Sequence, residues 1–363
     1  MDPFAKKLIG WHHESGRKEL PWQQQRSPYR VWLSEIMLQQ TQVATVIPYF
    51  ENFCEQFPDI STLAAAPLDS VLALGSGLGY YSRARNLHRA AERVVLEHES
   101  ELPAEFDALM ALPGIGRSTA GAIMAQAFKV PYPILDGNVR RVLCRYHGIE
   151  GWPGESGVQK RLWAVAAEHT PGRAGDAVVD YTQAIMDLGA MVCTPRNWSC
   201  ESCPVAESCC AYRQESVTRL PTKKARKALA ERETILLAMV DNDGALLLER
   251  RPPSGIWGGL WSLPEWNSSK GEETEAELQS WIKSQFGLKL LSCQRLETFV
   301  HTFTHFKLKI RPVLLKTDGV CDTRVMESSA TLWYKADQFS QIGLPTPIKK
   351  VVGEIVTIQL TPE

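Results

Sequence analysis

Four cysteines fall within one short stretch, spaced Cys193-x6-Cys200-x2-Cys203-x5-Cys209. This crowding constrains the chain more than any other feature. Four thiolates can surround one soft metal centre. A [4Fe–4S] cluster takes one cysteine per iron. Zinc also accepts four thiolates, but usually as two close pairs, and only Cys200 and Cys203 are close here. A reduced, unliganded set is the third possibility. Cys210 adjoins Cys209, and the spacing favours Cys209 as the fourth ligand. The remaining Cys54, Cys144, Cys293 and Cys321 are scattered, which does not suit a disulfide framework.

The opening residues MDPFAKKLIGWHHES lack an apolar signal core, and no run of about 18 apolar residues exists. A cytoplasmic setting without membrane contact is expected. The net charge of −1 provides no global basic field, so any nucleic-acid contact must come from a local groove of Lys and Arg.

Apolar residues recur at three and four spacings up to about residue 215, which reads as all-helical. Residues 216–232 are basic and poor in large apolar side chains, and read as a linker suited to a phosphate backbone. From residue 233 the pattern changes. Thr234–Val240 and Ala245–Glu249 are short apolar runs separated by Asp241-Asn-Asp-Gly244, a hairpin signal. Phe299–Leu315 alternates in part, and an amphipathic helix is expected over Glu275–Gln285. The predicted fold class is multi-domain, an all-α domain (1–215) followed by an α+β domain (233–363).

Leu112-Pro-Gly-Ile-Gly-Arg-Ser-Thr-Ala120 lies between two helical segments. Gly114 and Gly116 allow a tight turn with positive φ. Backbone N–H groups at the next helix start, near Arg117, would be free to bind a phosphate. Gly-x-Gly alone would read as an ordinary inter-helix turn.

Two acidic residues stand out. Glu35 lies in Val31–Val43, which reads as one helix with Glu35, Gln39 and Gln42 on a common face. By pattern alone this is a solvated polar face. Asp136 precedes Gly-Asn-Val and reads equally well as a helix N-cap.

The cysteine spacing resembles that of the endonuclease III and MutY superfamily of DNA glycosylases. The nonapeptide Leu112–Ala120 resembles their helix–hairpin–helix. Ser34-Glu-Ile-Met-Leu-Gln-Gln-Thr41 and Leu135-Asp-Gly-Asn-Val139 are similar to MutY-type adenine DNA glycosylases in particular. The resemblance implies a [4Fe–4S] cluster on Cys193, Cys200, Cys203 and Cys209, with Arg196 in its loop directed to DNA. It implies Glu35 as the acid that protonates adenine and Asp136 as the anion beside the sugar. Asn138 would orient that site, with Gln183 on the pocket wall. Gln40 and Thr41 would lie near the widowed partner base. Endonuclease III-type relatives carry lysine where this chain has Ser118. A hydroxyl cannot form a Schiff base, so base removal without strand nicking is expected.

Gly77-Leu-Gly-Tyr-Tyr-Ser-Arg83 is a further match, with Tyr80 as the implied wedge into the base stack and Leu78 and Arg83 beside it. Most members have tryptophan where this chain has Gly75. Arg251–Pro264 resembles the opening of a Nudix domain. Glu272, Glu273, Glu275 and Glu277 lack the pattern that holds Mg²⁺ in Nudix hydrolases. MutY enzymes use this fold to read 8-oxoguanine, and Phe303, Thr304 and His305 match the reading loop. The implied activity is hydrolysis of the N-glycosidic bond of adenine mispaired with 8-oxoguanine or guanine in duplex DNA. The expected enzyme is a monomer, bacterial and associated with the nucleoid through its DNA.

Overall fold

The computed structural model describes the chain except for residues 76–80, 225–227, 253–254, 267–273, 304, 320–330, 336–341 and 361–363. By its contacts the chain divides into two compact units. One comprises Met1–Ala65 and Asn86–Arg226, the other Ala66–Arg85 and Lys227–Glu363. The sequence pattern placed residues 66–85 in the first domain. Their contacts group them with the second, and nothing in their helical periodicity announces that.

The first unit contains helices and no strand among its described residues. Local sequence explains several helix starts. Asp2 caps Pro3–Ser15, accepting from the amides of Phe4 and Ala5, and Pro3 sits where its missing N–H costs nothing. Ser27 caps Pro28–Leu38 in the same way through the amide of Arg30. Asp136 caps Gly137–His147, which Gly148 closes at φ 63°. One core gathers Phe4 and Leu8 from the first helix, Val139 and Leu143 from Gly137–His147, and Leu162, Ile185 and Leu188 further on.

Val31–Val43 is not one helix. The helix stops at Leu38, Gln40 turns at φ 60°, and a new helix, Val43–Gln56, starts with Gln42 as its cap. Leu38 is followed by two glutamines, a threonine and a third glutamine, so no apolar side chain carries the helix across this gap.

The second unit is built on a mixed sheet with β1 (Ala230–Val240), β2 (Leu246–Arg250), β3 (Trp261–Ser262), β4 (Glu265–Trp266), β5 (Leu290–Arg295), β6 (Phe299–Thr302), β7 (Phe306–Thr317) and β8 (Thr331–Tyr334). The path runs β3-β2-β1-β7-β5, with β4 on β1, β6 on β7 and β8 on β2. β1 and β7 are parallel, from Ala230 opposite Phe306 to Val240 opposite Lys316. The β1–β2 turn is the expected hairpin. Asp241 accepts from the amides of Asp243 and Ala245, and Gly244 sits at φ 79°. Helix Glu275–Phe286 packs Leu278 and Ile282 against Ile235, Leu237 and Met239 of β1.

The boundary between the halves differs from the sequence reading. β1 starts at Ala230, inside the stretch read as linker. Its first four residues are exposed, and Glu231 and Glu233 pair with Lys307 and with Lys309 and Arg311 of β7. Hydrophobic patterning cannot reveal a strand extended by ladder bonds and exposed ion pairs. Val217 and Leu220, also read as linker, are buried against Ala211, Trp198 and Cys209. No helix among the described residues is long and apolar enough to cross a membrane.

Candidate active site

A cavity of about 390 Å³ opens in the helical unit. That is within the roughly 300–1,000 Å³ range of small-ligand pockets. Glu35 arrives from helix Pro28–Leu38, and Gln40 and Thr41 from the turn that ends it. Ser118 comes from helix Arg117–Gln126, Asp136 and Asn138 from the cap of Gly137–His147, and Gln183 from Asp176–Asp187. The seven residues singled out in the sequence thus share one space. Gln42, assigned to the same face as Glu35, is exposed at the start of the next helix and does not line it.

The two carboxyls differ in their surroundings. Burial first, and the nearby charge of Asp136 second, push the Glu35 carboxyl up to about 8. Burial also raises Asp136, but groups that favour the anion oppose it. The Val139 amide donates to Oδ1 at 2.7 Å, and the Arg141 and Arg140 guanidiniums add positive charge. Asp136 is therefore both a helix cap and a cavity acid. Asn138 Nδ2 reaches Asp136 Oδ2 at 3.4 Å, and Arg141 Nη2 donates to Asn138 Oδ1 at 2.8 Å. Asp136 thus has partners for its anion, whereas burial and the charge of Asp136 both favour the neutral form of Glu35.

Other cavity groups have partners. Ser118 Oγ accepts the Leu135 amide at 2.9 Å, tying the hairpin helix to the segment that carries Asp136. Gly121 permits this approach, since a Cβ there would lie 2.5 Å from the Pro133 carbonyl oxygen. Gln39 Nε2 donates to Thr119 Oγ1 at 3.4 Å. Gln183 Nε2 donates to Asp187 at 2.9 Å. Asp187 is fully buried and also receives the backbone amide, Nε and Nη2 of Arg17. Arg17 and Gln126 line the cavity too, and sequence reasoning selected neither. An Arg–Asp pair 170 positions apart has no local signal, and Gln126 follows five small or apolar residues at the end of its helix, without a motif.

The hairpin itself needs one correction. Gly114 has φ 82°, but Gly116 has φ −94° and ψ 172°, an extended conformation open to any residue. Gly116 instead starts helix Arg117–Gln126 without a side-chain cap, leaving that first turn's amides without a side-chain acceptor. Leu112 and Ile115 anchor the loop in the core. Gly116 and Arg117 are exposed, and the Arg117 guanidinium lies 4.0 Å over the Trp163 ring.

Cys193, Cys200, Cys203 and Cys209 line a second, small cavity with Arg145, and all four are free thiols. Burial raises Cys200 and Cys209 and pushes Cys203 up to about 12, with the neighbouring thiols adding to it. Thiolates in such a place need positive charge. Arg145 Nη1 supplies one donor, to Cys193 Sγ at 3.3 Å. Among the described residues no three His, Cys, Asp or Glu converge on a single-ion site. Four thiols arrayed around one cavity suit a multi-iron group that takes one thiolate per iron. Cys210 is not on this cavity; it starts the short helix Cys210–Arg213.

In the second unit, Phe303 lies in the turn between β6 and β7. It stacks on Phe306 at 4.4 Å between ring centres and meets His301 edge-on at 4.7 Å. His305 is exposed beside Phe306. Thr304, Leu78 and Tyr80 lie outside the described residues, as do Glu272 and Glu273. Arg83 is partly buried in helix Tyr81–Glu97. Glu277 is engaged in a capping box with Thr274 at the start of Glu275–Phe286. Gly75 is a buried residue ending helix Leu68–Leu74 at φ −80°, so its backbone does not require glycine.

Residues 33–168 match the HhH-GPD superfamily of base excision DNA repair proteins, and residues 235–354 match the NUDIX domain. The helical unit resembles the structure of a thermostable thymine-DNA glycosylase, with a TM-score of 0.52 and 27% identity over 58% of this chain and 95% of that one. A helix–hairpin–helix fold with a carboxylate-lined cavity, followed by a Nudix-type domain, defines a base-excision DNA glycosylase. Two whole-chain relatives narrow the class. Adenine DNA glycosylase from Buchnera aphidicola subsp. Schizaphis graminum is 36% identical over 96% of this chain and 97% of its own length. The adenine DNA glycosylase of Homo sapiens is 34% identical over 96% and 73%. The chain belongs to the MutY-type adenine DNA glycosylase family.

Proposed function

We propose that the protein excises adenine mispaired with 8-oxoguanine or guanine in duplex DNA, by hydrolysis and without nicking the strand. The observation that carries this reading is the cavity that Glu35 and Asp136 share, in which burial favours the neutral form of both carboxyls and only Asp136 has an amide donor and guanidiniums that favour its anion. A flipped nucleotide would place its base toward Glu35 and its sugar toward Asp136. Glu35, protonated at neutral pH, gives its proton to adenine N7, and the N-glycosidic bond breaks. Asp136 stabilises the cation-like sugar, and Glu35, now ionised, activates the incoming water. Ser118 offers no amine, so no imine to the sugar forms.

Asn138 and Gln183 support the pocket wall, while Gln40 and Thr41 approach the widowed base. Gly114, Gly116 and Arg117 hold the phosphate backbone through helix-start amides and charge. Leu78, Tyr80 and Arg83 serve the opened base stack. Phe303, Thr304 and His305 read 8-oxoguanine from the second unit, and the basic segment 216–232 leads into its sheet. Cys193, Cys200, Cys203 and Cys209 hold a [4Fe–4S] cluster. When bound, it orders their loop and directs basic residues such as Arg196 to DNA. The enzyme acts as a monomer on cytoplasmic, nucleoid DNA.

The test is release of base from duplexes carrying adenine opposite 8-oxoguanine, adenine opposite guanine, or thymine glycol. Adenine release from the first two, with none from the third, is expected. Borohydride should fail to trap the protein on its substrate. Thymine glycol excision with trapping would replace this reading by an endonuclease III-type lyase. Unchanged single-turnover release by Glu35→Gln would remove the mechanism.

A further inference from the structure

Gln126 is the last residue of helix Arg117–Gln126, eight positions after Ser118, so Ser118, Ala122 and Gln126 form one stripe. Ser118 and Gln126 both border the active-site cavity. Only 4% of Gln126 is exposed, and its Nε2 has no hydrogen-bond partner among the described residues. The neighbouring polar groups are already engaged: Gln39 with Thr119, Gln183 with Asp187, and Asn138 with Arg141. Gln126 is thus a buried amide without a partner for its Nε2, on the wall of a space made for a ligand.

An unpartnered buried donor destabilises the free protein, and an apolar side chain of similar size would avoid that cost. The five residues before it, Gly121 to Ala125, are all small or apolar and buried, so the helix does not need a polar group here for solubility. We propose that Gln126 is a specificity residue whose Nε2 donates to a ring nitrogen acceptor of the purine base bound in the cavity. This rests on the adenine-excision reading and adds a contact to it. A site that must hydrogen-bond its ligand rejects analogues lacking the partner, because the buried donor is then left unpaired. Gln126 acts on a ring nitrogen other than N7, which Glu35 addresses.

The test is a variant-by-analogue cycle of single-turnover excision, using duplexes with deoxyadenosine, 1-deaza-deoxyadenosine or 3-deaza-deoxyadenosine opposite 8-oxoguanine. Wild type should lose about tenfold on one of the two analogues, the size expected for one hydrogen bond. Gln126→Leu should lose the same factor on adenine and nothing further on that analogue. Its Tm should equal or exceed that of wild type, because the stranded donor is gone. Gln126→Met, unbranched and close in volume, provides a second variant if leucine disturbs packing. Wild-type excision of adenine by both variants overturns the proposal, as do losses that add on both analogues. Failure of the wild type itself to release adenine would instead overturn the functional reading.

Discussion

Arg141 Nε donates to the Cys193 carbonyl at 2.7 Å, across 52 positions of sequence. The same guanidinium reaches the Gly189 carbonyl at 2.6 Å and Asn138 Oδ1 at 2.8 Å, and is itself buried. One side chain thus joins the start of the cysteine loop to the cap that holds Asp136.

Arg141→Met should strand these acceptors. Hydrogen bonds to charged groups contribute about 1.5–3 kcal/mol each, so a loss of about 3 kcal/mol in urea unfolding is expected. Adenine release should slow as well, since Asn138 loses its tether. Arg141→Lys should recover only part, because an ammonium cannot reproduce the planar fork. Stability and rate equal to wild type in Arg141→Met would show the link to be idle.

Glu35 makes a pH prediction with a definite sign. Its ordinary value is 4.5, and the fold raises it to about 8. The folded protein therefore holds this proton more tightly than the unfolded chain does. The resulting stabilisation is complete below about pH 4.5 and drains away as pH rises toward about 8. Glu35→Gln is neutral throughout, so its Tm advantage over wild type should grow from pH 4.5 to pH 8. A gap independent of pH would contradict this. For wild type, kcat/KM should fall as pH rises through about 8, where the acid loses its proton.

Asp136 carries two roles that different substitutions separate. Asparagine caps helices about as well as aspartate, whereas alanine costs about 1 kcal/mol. Asp136→Asn should fold like wild type yet release no adenine. Asp136→Ala should lose activity and about 1 kcal/mol besides. Calorimetry beside single-turnover assays reads both quantities.

The cysteines give a spectroscopic prediction. Cys203 lines the thiol cavity and Cys210 does not. Cys210→Ser should keep a brown colour with broad visible absorbance, while Cys203→Ser should lose or weaken it. Colourless wild-type protein containing zinc would replace iron with zinc at this site, because the zinc d shell is full.

Much of the site was legible because its residues sit in short motifs. Glu35, Asp136 and the four cysteines could be picked out by number, and the hairpin Asp241–Gly244 by its turn residues. What stayed illegible involved distant partners or backbone detail. The break after Leu38 hides inside a stretch that looks helical, and the exposed start of β1 exists only through its pairing with β7. Gln126 and the Arg17–Asp187 pair carry no motif at all.

Local sequence determined the helix caps, the change from helical to strand periodicity, and the set of groups able to do chemistry. These depend on neighbours within a few positions, where side-chain type acts directly on the backbone. The tertiary structure decided protonation. Whether a carboxyl at position 35 is a solvated acid or a proton donor near neutral pH depends on how much water surrounds it and which charges face it. Both are set by helices far apart in the chain, and no local pattern encodes them.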